Sequence, residues 1–277
     1  MAISIQTNYA SMVAQNSLAK STDSLNTSME RLGTGFRINS AKDDAAGLTI
    51  ANRMNSDMVG MNAGISNIEK TQDMLQTADQ AMAELTSITD RMTELGTQAA
   101  NGTNSTADLE AMDSEFQKLA DEANRIVDDT QYAGQNLFGT LGASGGINVQ
   151  IGRQTSENIN VDVSDSMSGL TTAMNDLSGL SLTSGNATSA LAVLSTTSDS
   201  ISAARSDVGA YINSLEHTKS NLMNVEMNTE VAKGRIMDAD FAEEGANMSK
   251  QMMLQQSGTM VMQSAKQMSG LALNLIG

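Results

Sequence analysis

The sequence contains no cysteine, no proline and no tryptophan, and aromatic residues make up only 3% of its 277 positions. Lack of cysteine removes disulfides, thiolate metal sites and thiol nucleophiles together. Lack of proline removes the residue that interrupts helices and isomerises slowly, so very long helices become available. With so few aromatics, a core has to be built from aliphatic side chains and the 21 methionines. Histidine occurs once, at His217 within Glu216-His217-Thr218. A single imidazole without a second ligand completes neither a zinc site nor a catalytic triad and reads as a partly exposed helix residue. Basic residues are scarce as well: 16 Lys and Arg against 32 Asp and Glu give a net charge of -16. That balance repels phosphate backbones and anionic lipid, which excludes nucleic acid and membrane surfaces as partners. No run approaches the ~18 apolar residues of a membrane span. The start, Met1-Ala2-Ile3-Ser4-Ile5-Gln6, has neither the basic region nor the apolar stretch of a secretory signal and on its own reads as cytoplasmic.

What the chain has in quantity is heptad spacing. Leu18, Leu25 and Leu32 fall seven apart, with Thr22 and Met29 between them, and Gly33-Thr34-Gly35 ends that helix. In Ser40-Ala41-Lys42-Asp43 a hydroxyl and a carboxylate can cap each other's amides, so a second helix is expected to start there. Met54, Met58, Met61, Ile65, Ile68 and Leu75 then follow a 4-3-4-3 rhythm with Gln72 in register. Ala78, Met82, Leu85, Ile88, Met92 and Leu95 continue it with one-residue slips, up to the stop at Asn101-Gly102. A helix from Asp44 to Ala100 would be about 85 Å long. Such a rod needs partner helices. One is expected from Thr106 to Asp129, with Leu109, Met112, Phe116, Leu119, Ala120 and Ile126 on one side. A longer one carries Leu194, Ile201, Val208, Leu215 and Leu222 at strict intervals of seven, with Leu191 and Ile212 in the alternate positions and Val225, Ala232 and Ile236 extending the stripe. Two heptad segments so far apart predict an antiparallel bundle, with Met58, Ile65, Leu75, Ile201, Val208 and Leu215 on its seam.

Ile147-Asn148-Val149-Gln150-Ile151 and Ile159-Asn160-Val161-Asp162-Val163 alternate apolar and polar residues and predict one β-hairpin over about 147–163. From Ser164 onward the chain is rich in Ser, Thr, Gly and Asn, which predicts a surface connector over about 164–190. The last forty residues return to helical character with Met248, Met252, Met253, Leu254, Met260, Val261, Met262 and Met268 ahead of Leu271, Leu273, Leu275 and Ile276. Methionine packs adaptably against several neighbours. The terminal helices are each long but marginal as an isolated pair, and are expected to order fully when neighbouring subunits cover them. The fold class that follows is mainly α: a long antiparallel coiled-coil bundle with one small β-hairpin. The acidic pairs Asp43-Asp44, Asp128-Asp129 and Glu243-Glu244 come without supporting ligands and read as caps, solvated faces or contacts between copies. No metal, cofactor or catalytic residue is expected.

Along almost its whole length the chain resembles bacterial flagellin. The run Glu30-Arg31-Leu32-Gly33-Thr34-Gly35-Phe36-Arg37-Ile38-Asn39-Ser40-Ala41-Lys42-Asp43-Asp44-Ala45-Ala46-Gly47 is similar to the family's ERL-SG-RINSAKDDAAG signature. Ala100 to Ser105, Thr130 to Phe138 and Asn247 to Gly258 resemble the family's helix turn, the approach to its hairpin and the start of its last helix. The resemblance implies a structural subunit, not an enzyme, that polymerises into the flagellar filament for motility. It implies a terminal coiled-coil domain of residues 1–40 with 237–277 and a rod-shaped core domain of 41–236. It also implies export of the unfolded chain through the flagellar type III channel and folding at the filament tip, so the expected location becomes extracellular.

The implied partners are further copies of the chain or sister flagellins, the cap and hook-filament junction proteins, an export chaperone at the C-terminal helix, and a vertebrate Toll-like receptor. The receptor pattern falls on Arg91, Leu95 and Glu115, with Thr93 where recognised relatives carry arginine. Arg91 and Leu95, four apart, share a helix face. Arg31, Arg37, Arg235, Met252 and Met262 are the expected contacts between subunits. Only the short connector stands where longer flagellins insert outer domains, and Met268 to Gly277 lacks the proline and basic end residue of relatives.

Overall fold

The computed structural model describes residues 8–183 and 186–276, the last nine of them by backbone alone. The readings made on Met1 to Gln6 and on the end of the chain from Met268 lie outside what it describes. Helices dominate: α1 (Tyr9–Thr34), α2 (Ala45–Ala99), α3 (Thr106–Asp129), α4 (Leu137–Leu141), α5 (Ser164–Ser178), α6 (Ala187–Met237) and α7 (Phe241–Ile276). Two antiparallel hairpins complete the fold, β1 (Gln131–Tyr132) with β2 (Gln135–Asn136) and β3 (Ile147–Gln150) with β4 (Asn158–Val161). The chain divides into two compact units, residues 1–56 with 228–277 and residues 57–227.

Within the unit of residues 57–227, α2 buries Ile88 and Leu95 and, in one continuous row, Gly64, Ile68, Thr71, Leu75, Ala78, Met82, Leu85, Thr89, Met92, Gly96 and Ala99. The row alternates steps of four and three. The slips expected at Ile88 and Leu95 are present: both are buried, each one residue ahead of the row position that Thr89 or Gly96 holds. Each buried hydroxyl is satisfied by its own helix, Thr71 by the Asn67 carbonyl and Thr89 by the Leu85 carbonyl, so threonine packs there as an apolar residue. Leu75 is fully buried, whereas Met58 and Ile65 lie half-buried beside the row.

On α6, Leu194, Ile201, Val208 and Leu215 are buried as their spacing predicts. Their alternate positions are held by Ala190, Thr197 and Ala204, not by Leu191, which is half-buried. The helices run antiparallel, because positions ascending in α2 meet positions descending in α6. Asn62 donates to Glu226, Glu69 pairs with Lys219, Gln72 donates to the Ile212 carbonyl and Asp79 pairs with Arg205. Leu191 approaches so near that a Cβ on Gly96 would stand 3.1 Å from it.

Helix α3 opens on a capping box between Ser105 and Asp108 and buries Phe116, Ala120, Ala123 and Val127. The second helix was expected to begin at the Ser40 and Asp43 pair. That pair forms, but the Asp43 carboxylate closes the turn ahead of the helix by accepting from the Asn39 and Ser40 amides. The cap is Asp44, whose Oδ1 accepts from the Gly47 amide at 2.9 Å.

Two expectations fail. The connector over 164–190 is largely helical: α5 buries Met167, Leu170, Met174 and Leu177 at helical spacing among a polar majority, and the helix packs against α3. The stretch that follows α5 is tied to α3, where Asp113 accepts from the Leu182 amide at 2.6 Å and Gln117 donates to the Leu180 carbonyl. There are also two hairpins, not one. The first turns on Ala133 (φ 52°) and Gly134 (φ 82°), a left-handed pair that lets two-residue strands reverse.

The second hairpin pairs Ile147 with Val161 and Val149 with Ile159, which buries Val149 and Val161 and leaves the asparagines outward. The chain beyond β3 crosses α2 at two glycines one turn apart. A Cβ on Gly60 would stand 3.0 Å from the Arg153 amide, and one on Gly64 would stand 2.2 Å from the Ile151 carbonyl. Arg153 to Asp57 (3.0 Å) and Asn67 to the Gln150 carbonyl (3.0 Å) fasten the crossing. Gly64→Ala therefore destabilises this unit, by about 1–3 kcal/mol for overpacking against backbone. Gly209→Ala in α6, where a Cβ meets nothing within 4 Å, stabilises by about 0.5–1 kcal/mol. Urea titrations of both variants followed by circular dichroism check the opposite signs.

Candidate functional site

The terminal unit pairs α1 with α7 in antiparallel register. Asn8 donates to the Ala265 carbonyl (3.0 Å), Ser21 to the Gln251 side chain (2.9 Å) and Ser28 to Glu244 (2.9 Å). Its seam has little apolar content. On α1 the buried residues are Ala14, Ser21 and Ser28, seven apart, with Leu18, Leu25 and Leu32 half-buried in the alternate row. On α7 the row facing α1 holds Glu244, Gln251, Gln255, Gly258, Met262 and Ala265. A Cβ on Gly258 would lie 3.5 Å from Leu18. Thr22 is half-buried, but Met29, expected between the leucines, points outward, because the three and four spacing puts serine there.

Where the last turns of α1 meet the start of α7, Glu244 is only 7% exposed and is held from two sides. Arg31 donates to one carboxylate oxygen at 2.8 Å and Ser28 to the other. The Arg31 guanidinium, and then Ser28, keep the Glu244 carboxyl below its ordinary range although burial works against them. Beyond α1, Gly35 at φ 77° caps the helix, and the chain pairs with the turn after α6. Phe36 bridges Asp238, the Ala239 amide donates to Gly35 and the Arg37 amide to Met237.

The large apolar side chains of this unit lie outside that seam. Of the 17 exposed large hydrophobics among the described residues, 13 belong to the terminal unit, including Tyr9, Met12, Met29, Phe241, Met253 and Met260. Of the 35 buried hydrophobics it owns three, Ala14, Ile38 and Ala51. Charge divides as sharply. The terminal unit carries 9 acidic and 9 basic residues and is neutral, whereas residues 57–227 carry 23 acidic and 7 basic, the whole net charge of -16. A neutral surface with unburied apolar side chains marks an interface, and a highly charged surface with a full core stays solvated.

The residues singled out from the sequence fall in different settings. Arg31 is engaged within the chain on Glu244. The Arg37 guanidinium donates to the Ile236 carbonyl at 2.8 Å, and Arg235 is exposed in the last turn of α6. Met252 is exposed, while Met262 is half-buried in the seam with α1. Arg91 donates twice to Glu115 and once to Glu94, and Glu115 above all raises its pKa; all three are exposed. Leu95 is 2% exposed in the core, so it does not share the open face of Arg91 as a spacing of four suggested. His217 is exposed, as expected.

Sequence reasoning missed Glu244, Ser21 and Ser28 as seam residues. Their strict spacing from Ala14 and Gln251 was the available signal. Among the described residues no group of three or more His, Cys, Asp or Glu could hold a metal ion, and no helix is long and apolar enough to cross a membrane.

Comparison with known proteins supplies the context for this surface. Residues 5–141 match the bacterial flagellin N-terminal helical region, and residues 191–276 match the bacterial flagellin C-terminal helical region. Polar flagellin F of Vibrio parahaemolyticus is 34% identical and flagellin A of Vibrio cholerae 31% identical, each alignment covering all of both chains. The first alignment spans 377 positions against 277 residues here, so the relative carries segments that this chain lacks. A crystal structure of Bacillus cereus flagellin, 29% identical, aligns with 57% of this chain and 88% of its own at a TM-score of 0.48. With both terminal regions matched and full-length relatives above 30% identity, the chain belongs to the bacterial flagellin family, as a short form, and is a structural subunit of the flagellar filament.

Proposed function

We propose that the chain polymerises through its terminal unit, with residues 1–40 and 237–277 acting as the inner coiled-coil domain and 41–236 as the core domain. The observation that carries this reading is the division of apolar exposure and charge: thirteen large hydrophobics stand open on the neutral unit. Burying such a side chain is worth about 1.5–3 kcal/mol, so packing against neighbouring copies supplies the stabilisation that three buried apolar residues do not. The contacts between copies are Met252 and the exposed arginines Arg37 and Arg235. Met262 and Arg31 act one step back, by holding α7 on α1.

The same reading brings the family's further partners. These are sister flagellins, the cap and hook-filament junction proteins, and an export chaperone at the C-terminal helix. The chain leaves the cell unfolded through the flagellar export channel and folds at the tip, which makes the filament extracellular. Recognition by a vertebrate Toll-like receptor rests on the exposed Arg91 and Glu115, with Leu95 supporting them from the core and Thr93 in place of an arginine.

Purified subunit seeded under precipitating salt gives long filaments in the electron microscope, and finite particles would count against polymerisation. Arg37→Glu lowers filament yield while monomer helicity by circular dichroism stays nearly unchanged; an undiminished yield removes Arg37 from the interface. Acid dissociation tests Glu244. Because its folded pKa lies below the ordinary carboxylate value, its contribution is complete above that value and is lost as pH falls through the lowered one. Glu244→Gln filaments are accordingly weaker at pH 7, by about 1–3 kcal/mol per subunit, and their stability falls less steeply in acid than the wild type's. Sedimentation of filaments across pH reads both effects.

A further inference from the structure

With no cysteine in the chain, thioether sulfur is the only sulfur open to oxidation, and its placement is uneven. Met82, Met92, Met167 and Met174 are 0–1% exposed, all in the unit of residues 57–227. None of the described methionines of the terminal unit is buried. Met12 (62%), Met29 (48%), Met252 (41%), Met253 (62%) and Met260 (63%) stand open there, while Met223 (52%) and Met227 (57%) are the exposed methionines of the other unit among the described residues. Met253 and Met260 are seven apart on α7 and two positions away from the row that faces α1, so both point away from it. Met12 lies beside the exposed Tyr9 and Val13, and Met253 and Met260 lie beside the exposed Leu254 and Val261. The sulfurs are therefore part of the apolar face assigned to contact between copies.

We propose that these five methionines are a peroxide-sensitive modification site that controls whether a subunit can add to the filament. The inference rests on the polymerisation reading above. In the reaction a thioether sulfur lone pair attacks one peroxide oxygen, the O–O bond breaks, an S–O bond forms, and the other oxygen leaves as water after proton transfer. Sulfur is oxidised by two electrons and hydrogen peroxide is reduced. A sulfoxide is polar and chiral where an adaptable apolar chain stood, and burying it against a neighbour without a donor is unfavourable. Free subunits present all five sulfurs to solvent, whereas assembled subunits shield them, so the filament resists the oxidant that stops its growth. The four buried methionines act as an internal reference, because they stay reduced as long as their unit remains folded.

The experiment exposes purified full-length subunit to limiting hydrogen peroxide, maps sulfoxides by peptide mass measurement and follows seeded polymerisation by sedimentation. The expected result is oxidation at Met12, Met29, Met252, Met253 and Met260 ahead of Met82, Met92, Met167 and Met174, with an about tenfold fall in polymerised fraction. Methionine sulfoxide reductase restores the yield. Replacing all five by leucine (M12L, M29L, M252L, M253L and M260L) keeps the face apolar and makes polymerisation indifferent to peroxide. Oxidised wild type that polymerises undiminished, or a reductase treatment that reverses the sulfoxides without restoring yield, overturns the proposal alone. Untreated wild type that never lengthens seeds overturns the filament reading and this proposal with it.

Discussion

Close packing of long helices through small residues is the constraint on which the rest of this chain depends. A helix of more than fifty residues cannot stand by itself in water, and α2 and α6 are each of that length. They remain together over residues 57–227 because large and small side chains alternate along both seams. Leu75, Met82 and Met92 on one and Leu194, Ile201 and Val208 on the other are separated by Ala78, Thr89, Gly96, Ala190, Thr197 and Ala204. The small positions admit the partner's large ones, and the buried threonine hydroxyls cost nothing because their own helix accepts them.

The terminal pair uses the same spacing to another end. Its two buried serines bond across the seam instead of back along the helix, Ser21 with Gln251 and Ser28 with Glu244. Cross-seam bonds fix register, because a slip would leave Glu244 away from both Arg31 and Ser28. They add little stability beyond that, and the apolar side chains that could have supplied it face outward. A pair built this way is specified more by its hydrogen bonds than by its apolar burial. The separation of charge supports the same division, since neutral units can approach one another while the acidic unit keeps the free chain soluble.

Much of this was legible in the residues. Heptad spacing placed α2, α3 and α6 to within a few residues, Gly35 ended α1, and the alternation around Val149 and Val161 placed the second hairpin with the correct residues inward. Family motifs at both ends fixed what the chain is for. Helix α5 was lost because its five buried apolar residues are outnumbered by Ser, Thr, Gly and Asn, and composition follows the majority. The first hairpin was lost because strands of two residues have no period to read.

The sequence by itself determined that the molecule is helical, with elements of unusual length, and built from two distant heptad segments. Period and composition are local properties, and they survive without a neighbour. Tertiary structure alone decided which side of each row is buried. It turned Met29, Met253 and Met260 outward and Ser21, Ser28 and Glu244 inward, and it sank Leu95 beneath Arg91. Hydropathy would have assigned those faces the other way for the terminal pair. The physical reason is that close approach of two helices selects small and hydrogen-bonding residues for the seam, which leaves the large apolar ones on the outer faces of the pair.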